Sequence, residues 1–175
     1  MAERIIYEGR IVRLRIESVR LPNGEVVELE LMRHPGAAAV AAVDADGRVV
    51  LIHQYRHAAG GYLWELPAGV LDHKTEAARD CAVRELLEEV GIKALEWRPL
   101  GKIFTTPGFC DEQIHLFLAR GLTHTAHARD HDEVIDEVRE VPLDEALDMI
   151  RRGEIVDGKT VAGLYRAADA VRDLA

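Results

Sequence analysis

Residues 76–92 read EAARDCAVRELLEEVGI, and the reading of this stretch decides the fold. Glu76 to Val90 has helical periodicity, and Gly91 is the left-handed stop expected after it. At about 100° per residue, Val83, Leu86, Leu87 and Val90 fall on one arc, with Glu85, Glu88 and Glu89 on the opposite one. The three carboxylates stand at i, i+3 and i+4, so they are near neighbours and repel one another. Near the helix C-terminus the macrodipole is unfavourable to them as well. Arg84 can reach Glu88, but nothing nearby in sequence neutralises all three. A hard divalent cation converts this repulsion into attraction, because Mg2+ prefers carboxylate oxygens and water. A charge run of this kind more often simply faces solvent, so the flanking residues must decide between the two readings.

Upstream, Ile5 to Arg33 alternates apolar and polar residues around Pro22-Asn23-Gly24, which predicts a strand and then a hairpin. Pro35-Gly36 marks a break. Ala37 to Val43 and Arg48 to Arg56 read as two strands joined at Asp46-Gly47, both apolar enough to be central. After Gly60-Gly61, the run Trp64-Glu65-Leu66-Pro67-Ala68-Gly69 leads into a loop ending near Thr75. Downstream, Leu95 to Thr106, Gln113 to Ala119 and the short Val138 to Val141 read as strands. Ala126 to Glu137 is charged and weakly patterned, so a loop is expected there. Leu143 to Arg151 and Val161 to Leu174 are amphipathic helices. The pattern predicts an α/β protein of α/β/α layers around a mixed sheet.

The 175 residues, 48% of them hydrophobic, suffice for one domain with a real core and at most a small N-terminal appendage. The net charge of −9 carries no electrostatic footprint for nucleic acid or an anionic membrane. A phosphorylated substrate remains possible if metal ions or local arginines supply positive charge. Cys81 and Cys110 lie far apart, which argues against a disulfide framework and a structural zinc site. His53, His57, His73, His115, His124, His127 and His131 have no metal-ligand spacing either. MAERIIYEGR lacks an apolar core of signal-peptide length, and no apolar run reaches the roughly 18 residues of a membrane span. A cytoplasmic location is expected.

Gly69, then Glu76, then Arg84-Glu85-Leu86-Leu87-Glu88-Glu89-Val90-Gly91-Ile92 resembles the Nudix box: a Gly, a Glu, then R-E-U-x-E-E-x-G-U, with U apolar. The second half matches at every specified position, including the seven residues between Glu76 and Arg84. One departure stands out: six residues separate Gly69 from Glu76, one more than the family pattern. The resemblance implies a Nudix α/β/α sandwich with a small N-terminal antiparallel sheet. It implies that Glu85, Glu88, Glu89 and the backbone carbonyl of Ala68 bind metal: two or three Mg2+ ions, with Mn2+ able to substitute. Arg84 and Glu76 would pair to hold the loop, with Gly69, against the helix. The reaction implied is hydrolysis of a nucleoside diphosphate linked to another group, by attack of water on phosphorus.

Further stretches resemble the ADP-ribose pyrophosphatase subfamily: Arg33-His34-Pro35-Gly36-Ala37, Gln54-Tyr55-Arg56, Trp64 to Gly69, and Ile155 to Thr160. Pro107 stands near the place of that subfamily's marker proline. The products would be AMP and ribose 5-phosphate. Arg56 is then a phosphate or ribose contact, against the plain reading of a surface arginine at a strand end. Glu65 is either a ribose-hydroxyl acceptor or a solvated strand residue. Arg33 is a further substrate candidate, and Tyr7 a possible base stacker. Residues 1–34 would form a strand region that exchanges with a second subunit in a homodimer, and residues 35–175 the catalytic domain. Competing readings are another ADP-sugar, a GDP-sugar or a dinucleotide as substrate, a non-catalytic Nudix-like ligand sensor, and a helical interaction protein. A sensor has no need of all three box glutamates.

In similar enzymes a glutamate on the loop before the last strand orients or deprotonates the attacking water. Here that loop holds Asp130, Asp132, Glu133, Asp136 and Glu137, with Glu133 preferred and Glu88 next. Glu133→Gln is expected to lower kcat strongly while moving KM and Mg2+ affinity little. Steady-state kinetics on Glu133→Gln, Asp132→Asn, Asp136→Asn and Glu137→Gln in parallel check this. Unchanged kcat in all four would return the water to the metal or to Glu88.

Overall fold

Ala37–Ala42 (β4) reads AAAVAA and is buried along its whole length. Its small side chains let helices approach from both faces, and the pleat divides the residues between them. Ala38, Val40 and Ala42 join one core layer and Ala41 the other. The computed structural model describes residues 3–71, 76–125 and 134–173. In it, β4 lies between β7 (Ala68–Val70) and β9 (Gln113–His124), with β8 (Ile92–Phe104) beyond β9. β4 runs antiparallel to β7 and parallel to β9, so this sheet is mixed. A second, antiparallel sheet has the order β10 (Ile135–Pro142), β5 (Arg48–Arg56), β6 (Gly61–Glu65). Both β4 and β5 are therefore central strands, as their composition predicts. The turn between them carries the chain from one sheet to the other. Asp44 Oδ1 accepts from the N–H groups of Asp46 at 2.9 Å and Arg48 at 2.8 Å, and Gly47 takes a φ of 75°.

Helix α1 (Ala78–Val90) covers one face, packing Cys81, Ala82, Leu86 and Val90 on Ala38, Val40, Val50 and Ile52. Helices α2 (Leu143–Arg151) and α3 (Gly158–Arg172) cover the other, with Leu147 and Leu164 against Ala41, Val49 and Leu51. α3 comes close to the chain just after β6: a Cβ on Gly163 would stand 2.5 Å from Leu66 Cδ1. These are the α/β/α layers expected. A separate antiparallel sheet, β1 (Glu3–Glu8), β2 (Arg13–Arg20), β3 (Val26–Arg33), stands at the N-terminus and exposes Ile5, Ile6, Tyr7, Val26 and Leu29. The end of β3 joins the Thr105–Glu112 loop: Met32 N–H donates to Phe109 O at 2.7 Å, and Asp111 N–H to Met32 O at 3.1 Å.

The structure departs from the sequence reading in four places. β6 and β7 flank Leu66-Pro67 where only a run into a loop was expected. β8 starts at Ile92, immediately after the Gly91 stop. β10 starts at Ile135, so Asp136 and Glu137 lie on a strand rather than in a loop. The fourth concerns α1. Val83 is 40% exposed, while Glu85 and Glu89 are 5% and 0% exposed. The apolar arc is right for Leu86 and Val90, which are buried, but the inner face is turned away from Val83 and takes in two carboxylates instead.

Candidate active site

The site is built where β7 meets α1. α1 ends as the sequence predicts: Gly91 has a φ of 67° and its N–H donates to Leu87 O at 2.9 Å. The inner face of the helix carries Glu85 and Glu89 towards β7. Ala68 N–H donates to Glu89 Oε2 at 2.9 Å. Gly69 lies so near Glu85 that an added Cβ would fall 2.6 Å from Oε2 and closer still to Oε1. The need here is for close approach, since Gly69 does not have a positive φ. Cys81 Sγ lies 3.5 Å from Gly69 O. Burial, helped by the charge of Glu85, pushes this thiol up to about 12, so it stays protonated and packs as an apolar group.

Arg84 is the hub of the helix. Its guanidinium donates to Glu76 Oε1 at 3.2 Å, Glu85 Oε1 at 2.6 Å, Glu88 Oε2 at 3.0 Å and Val70 O at 3.2 Å. One cation thus joins the loop before the helix, strand β7 and two of the three glutamates. Burial opposes its charge, but the bond to Glu76 and the charge of Glu85 hold its pKa well above the usual guanidinium value.

A second charged cluster lies at the end of β5. Arg56 makes a fork on Glu65, Nε to Oε1 at 2.9 Å and Nη2 to Oε2 at 2.7 Å. Glu65 is 1% exposed, which excludes the solvated-strand reading. Lys159 Nζ also donates to Glu65 Oε2, and to Asp157 Oδ2 at 3.0 Å. The bond to Glu65 raises the Arg56 pKa against the opposing effect of burial, with the charges of Glu65, Glu89 and Asp157 adding to it.

The other predicted residues fall as follows. Glu88 stands at the rim with a side chain 37% exposed. Arg33 is engaged elsewhere, donating to Glu17 Oε1 at 2.6 Å and Asp111 Oδ2 at 3.0 Å. Glu133, Asp130 and Asp132 lie outside the described residues. Asp136 pairs with His53 at 2.8 Å, and Glu137 with Arg139 at 2.8 Å. Lys159, Asp157 and Thr160 were not singled out as site residues in the sequence reading. The available signal was Asp157-Gly158-Lys159-Thr160, a helix start with an Asp N-cap.

The donors suit a hard divalent cation. Glu85, Glu88 and Glu89 offer carboxylate oxygens, and the missing Cβ of Gly69 leaves the β7 backbone close to them. Among the described residues no three His, Cys, Asp or Glu side chains are gathered as a ready-made cage. Arg84 holds two of the carboxylates instead. Mg2+ does not require such a cage, because it keeps several waters and relies on one or two carboxylates together with substrate phosphates.

Comparison with known proteins identifies the family. The NUDIX domain family model matches residues 32–164. The ADP-ribose pyrophosphatase of Mycobacterium tuberculosis is 41% identical over 160 residues, covering 91% of this chain and 77% of that protein. The methanol dehydrogenase activator of Bacillus methanolicus is 43% identical over 158 residues, covering 89% and 84%. A crystal structure described as an ADP compounds hydrolase superposes with a TM-score of 0.84 at 22% identity, over 99% of this chain and 94% of its own. The chain belongs to the NUDIX family. It is a Nudix hydrolase.

Gly69→Ala is expected to lower kcat about 100-fold, because the new methyl group must displace Glu85 or β7 by about an ångström. Circular dichroism and a thermal melt alongside kinetics check it, with retained secondary structure and lost turnover as the expected pair. Wild-type turnover would mean that the β7–α1 approach is not needed.

Proposed function

We propose that the protein hydrolyses the diphosphate of ADP-ribose to AMP and ribose 5-phosphate, using Mg2+. The observation that carries the reading is the pair of buried carboxylates, Glu85 and Glu89, turned towards the Ala68-Gly69 backbone. The name of the Mycobacterium tuberculosis relative supports the choice of substrate. Glu85, Glu88, Glu89 and the Ala68 carbonyl hold the metal; Arg84, Glu76 and Gly69 keep the loop and helix in register. When bound, the metal neutralises diphosphate oxygens and makes a bound water a better nucleophile. Arg56 orients a substrate phosphate or ribose from the rim, with Glu65 behind it. Glu133 orients the attacking water at phosphorus and takes its proton. A GDP-sugar or dinucleotide would meet the same diphosphate machinery, so a panel of ADP-ribose, ADP-glucose, GDP-mannose, NADH and diadenosine compounds, with products separated by chromatography, tests the assignment. ADP-ribose is expected to give the highest kcat/KM; no AMP from any ADP compound would overturn it.

Glu85→Gln and Glu89→Gln are each expected to lower kcat at least ~100-fold with the fold intact, because each removes charge from the metal site. A Mg2+ titration of both variants checks this, and near-normal turnover at saturation would remove α1 from the chemistry. The exposed apolar residues of β1–β3 support a homodimer formed through residues 1–34, acting in the cytoplasm. Deleting those residues is expected to abolish both the dimer, measured by light scattering, and most of the activity. A folded, active monomer from residue 35 onward would make the N-terminal sheet an appendage.

A further inference from the structure

Arg56 and Glu65 alone would make a neutral pair, and a guanidinium already matched by a carboxylate attracts a phosphate weakly. Glu65, however, takes two cations, with the Arg56 fork on both oxygens and Lys159 on Oε2. Lys159 is itself nearly enclosed, with a side chain only 10% exposed. Its Nζ is held on its other side by Asp157, the N-cap of α3. Asp157 Oδ2 also accepts from Thr160 N–H at 2.9 Å and from Thr160 Oγ1 at 2.6 Å. Thr160 Oγ1 in turn accepts from Leu66 N–H at 2.9 Å, so the residue after Glu65 is pinned to the same helix start. The negative charge on Asp157 is offset by the helix dipole and these donors. Arg56 uses Nε and Nη2 on Glu65, and among the described residues no group accepts from its Nη1.

We infer that Lys159 is a positioning residue for Arg56. By sharing Glu65 it fixes the guanidinium plane and offsets part of the Glu65 charge, which leaves the outer edge of Arg56 more positive towards the substrate diphosphate than a lone Arg56–Glu65 pair would be. The inference rests on the reading of Arg56 as a substrate contact. A lysine that only stapled α3 to β6 would affect stability and nothing else. A positioning lysine acts on substrate affinity, and does so through Arg56.

The test uses the full chain with ADP-ribose and Mg2+. Lys159→Met keeps the buried stem and removes the charge; KM is expected to rise about tenfold with kcat within about twofold of the parent. Lys159→Arg should recover most of the loss. In an Arg56→Ala background Lys159→Met should add little to KM, since the group it positions is gone. A lower melting temperature with unchanged KM, or KM effects that multiply in the double variant, would overturn the role. Should Lys159→Met not fold, Lys159→Gln carries the same comparison. Two failures are separable. If Arg56→Ala leaves KM unchanged, the substrate-contact reading falls and takes the role of Lys159 with it. If Arg56→Ala raises KM and no Lys159 variant does, Arg56 keeps its role and Lys159 loses it.

Discussion

The approach of the β7 backbone to the inner face of α1 is the contact on which the rest of the site depends. Two carboxylates there are buried in a position where apolar packing would ordinarily be found, and removing a charge from water is costly unless it is paired or hydrogen-bonded. Glu89 receives the Ala68 N–H, and Glu85 receives Arg84. Gly69 makes the arrangement possible by having no side chain, since the space of its Cβ is the space of the Glu85 carboxylate. The short strand β7 is held in turn by its pairing with β4, whose side chains are small enough for it to be enclosed between helix layers. The candidate site and the core packing are thus parts of one structure.

Arg84 ties this arrangement together. It bonds Glu76, Glu85, Glu88 and the Val70 carbonyl. A planar guanidinium with five donors can reach all four acceptors in one fixed arrangement. The same physics recurs at Glu65, where two cations converge on one buried carboxylate. In both clusters a helix supplies one end of the network and a strand the other. Small shifts of α1 or α3 would therefore be felt directly at the substrate side.

The sequence made the box helix legible, because periodicity, the Gly91 stop and the R-E-x-x-E-E spacing are all local. It also made β4 and β5 legible as central strands, since their apolar runs are too long to be edges. On α1 it was right about Leu86 and Val90 but not about Val83, and an apolar arc could not show that Glu85 and Glu89 are buried. Hydrophobic patterning assigns charge to solvent, and here hydrogen bonds from Ala68 N–H and Arg84 hold the two carboxylates inside instead. Arg33 pairs with Glu17 and Asp111 across the chain, partners that no local pattern could have supplied.

What the sequence determined by itself was most of the elements and the family, each carried by residues within a helix length of one another. Only the tertiary structure decided that Glu65 is buried, that Lys159 and Asp157 stand behind it, and that Asp136 and Glu137 lie on a strand. Lys159 and Glu65 are far apart in the chain, and no local propensity couples a helix N-terminus to a strand end. Their meeting depends on α3 packing over Leu66, with Gly163 permitting the close approach, and such contacts exist only once the layers have closed.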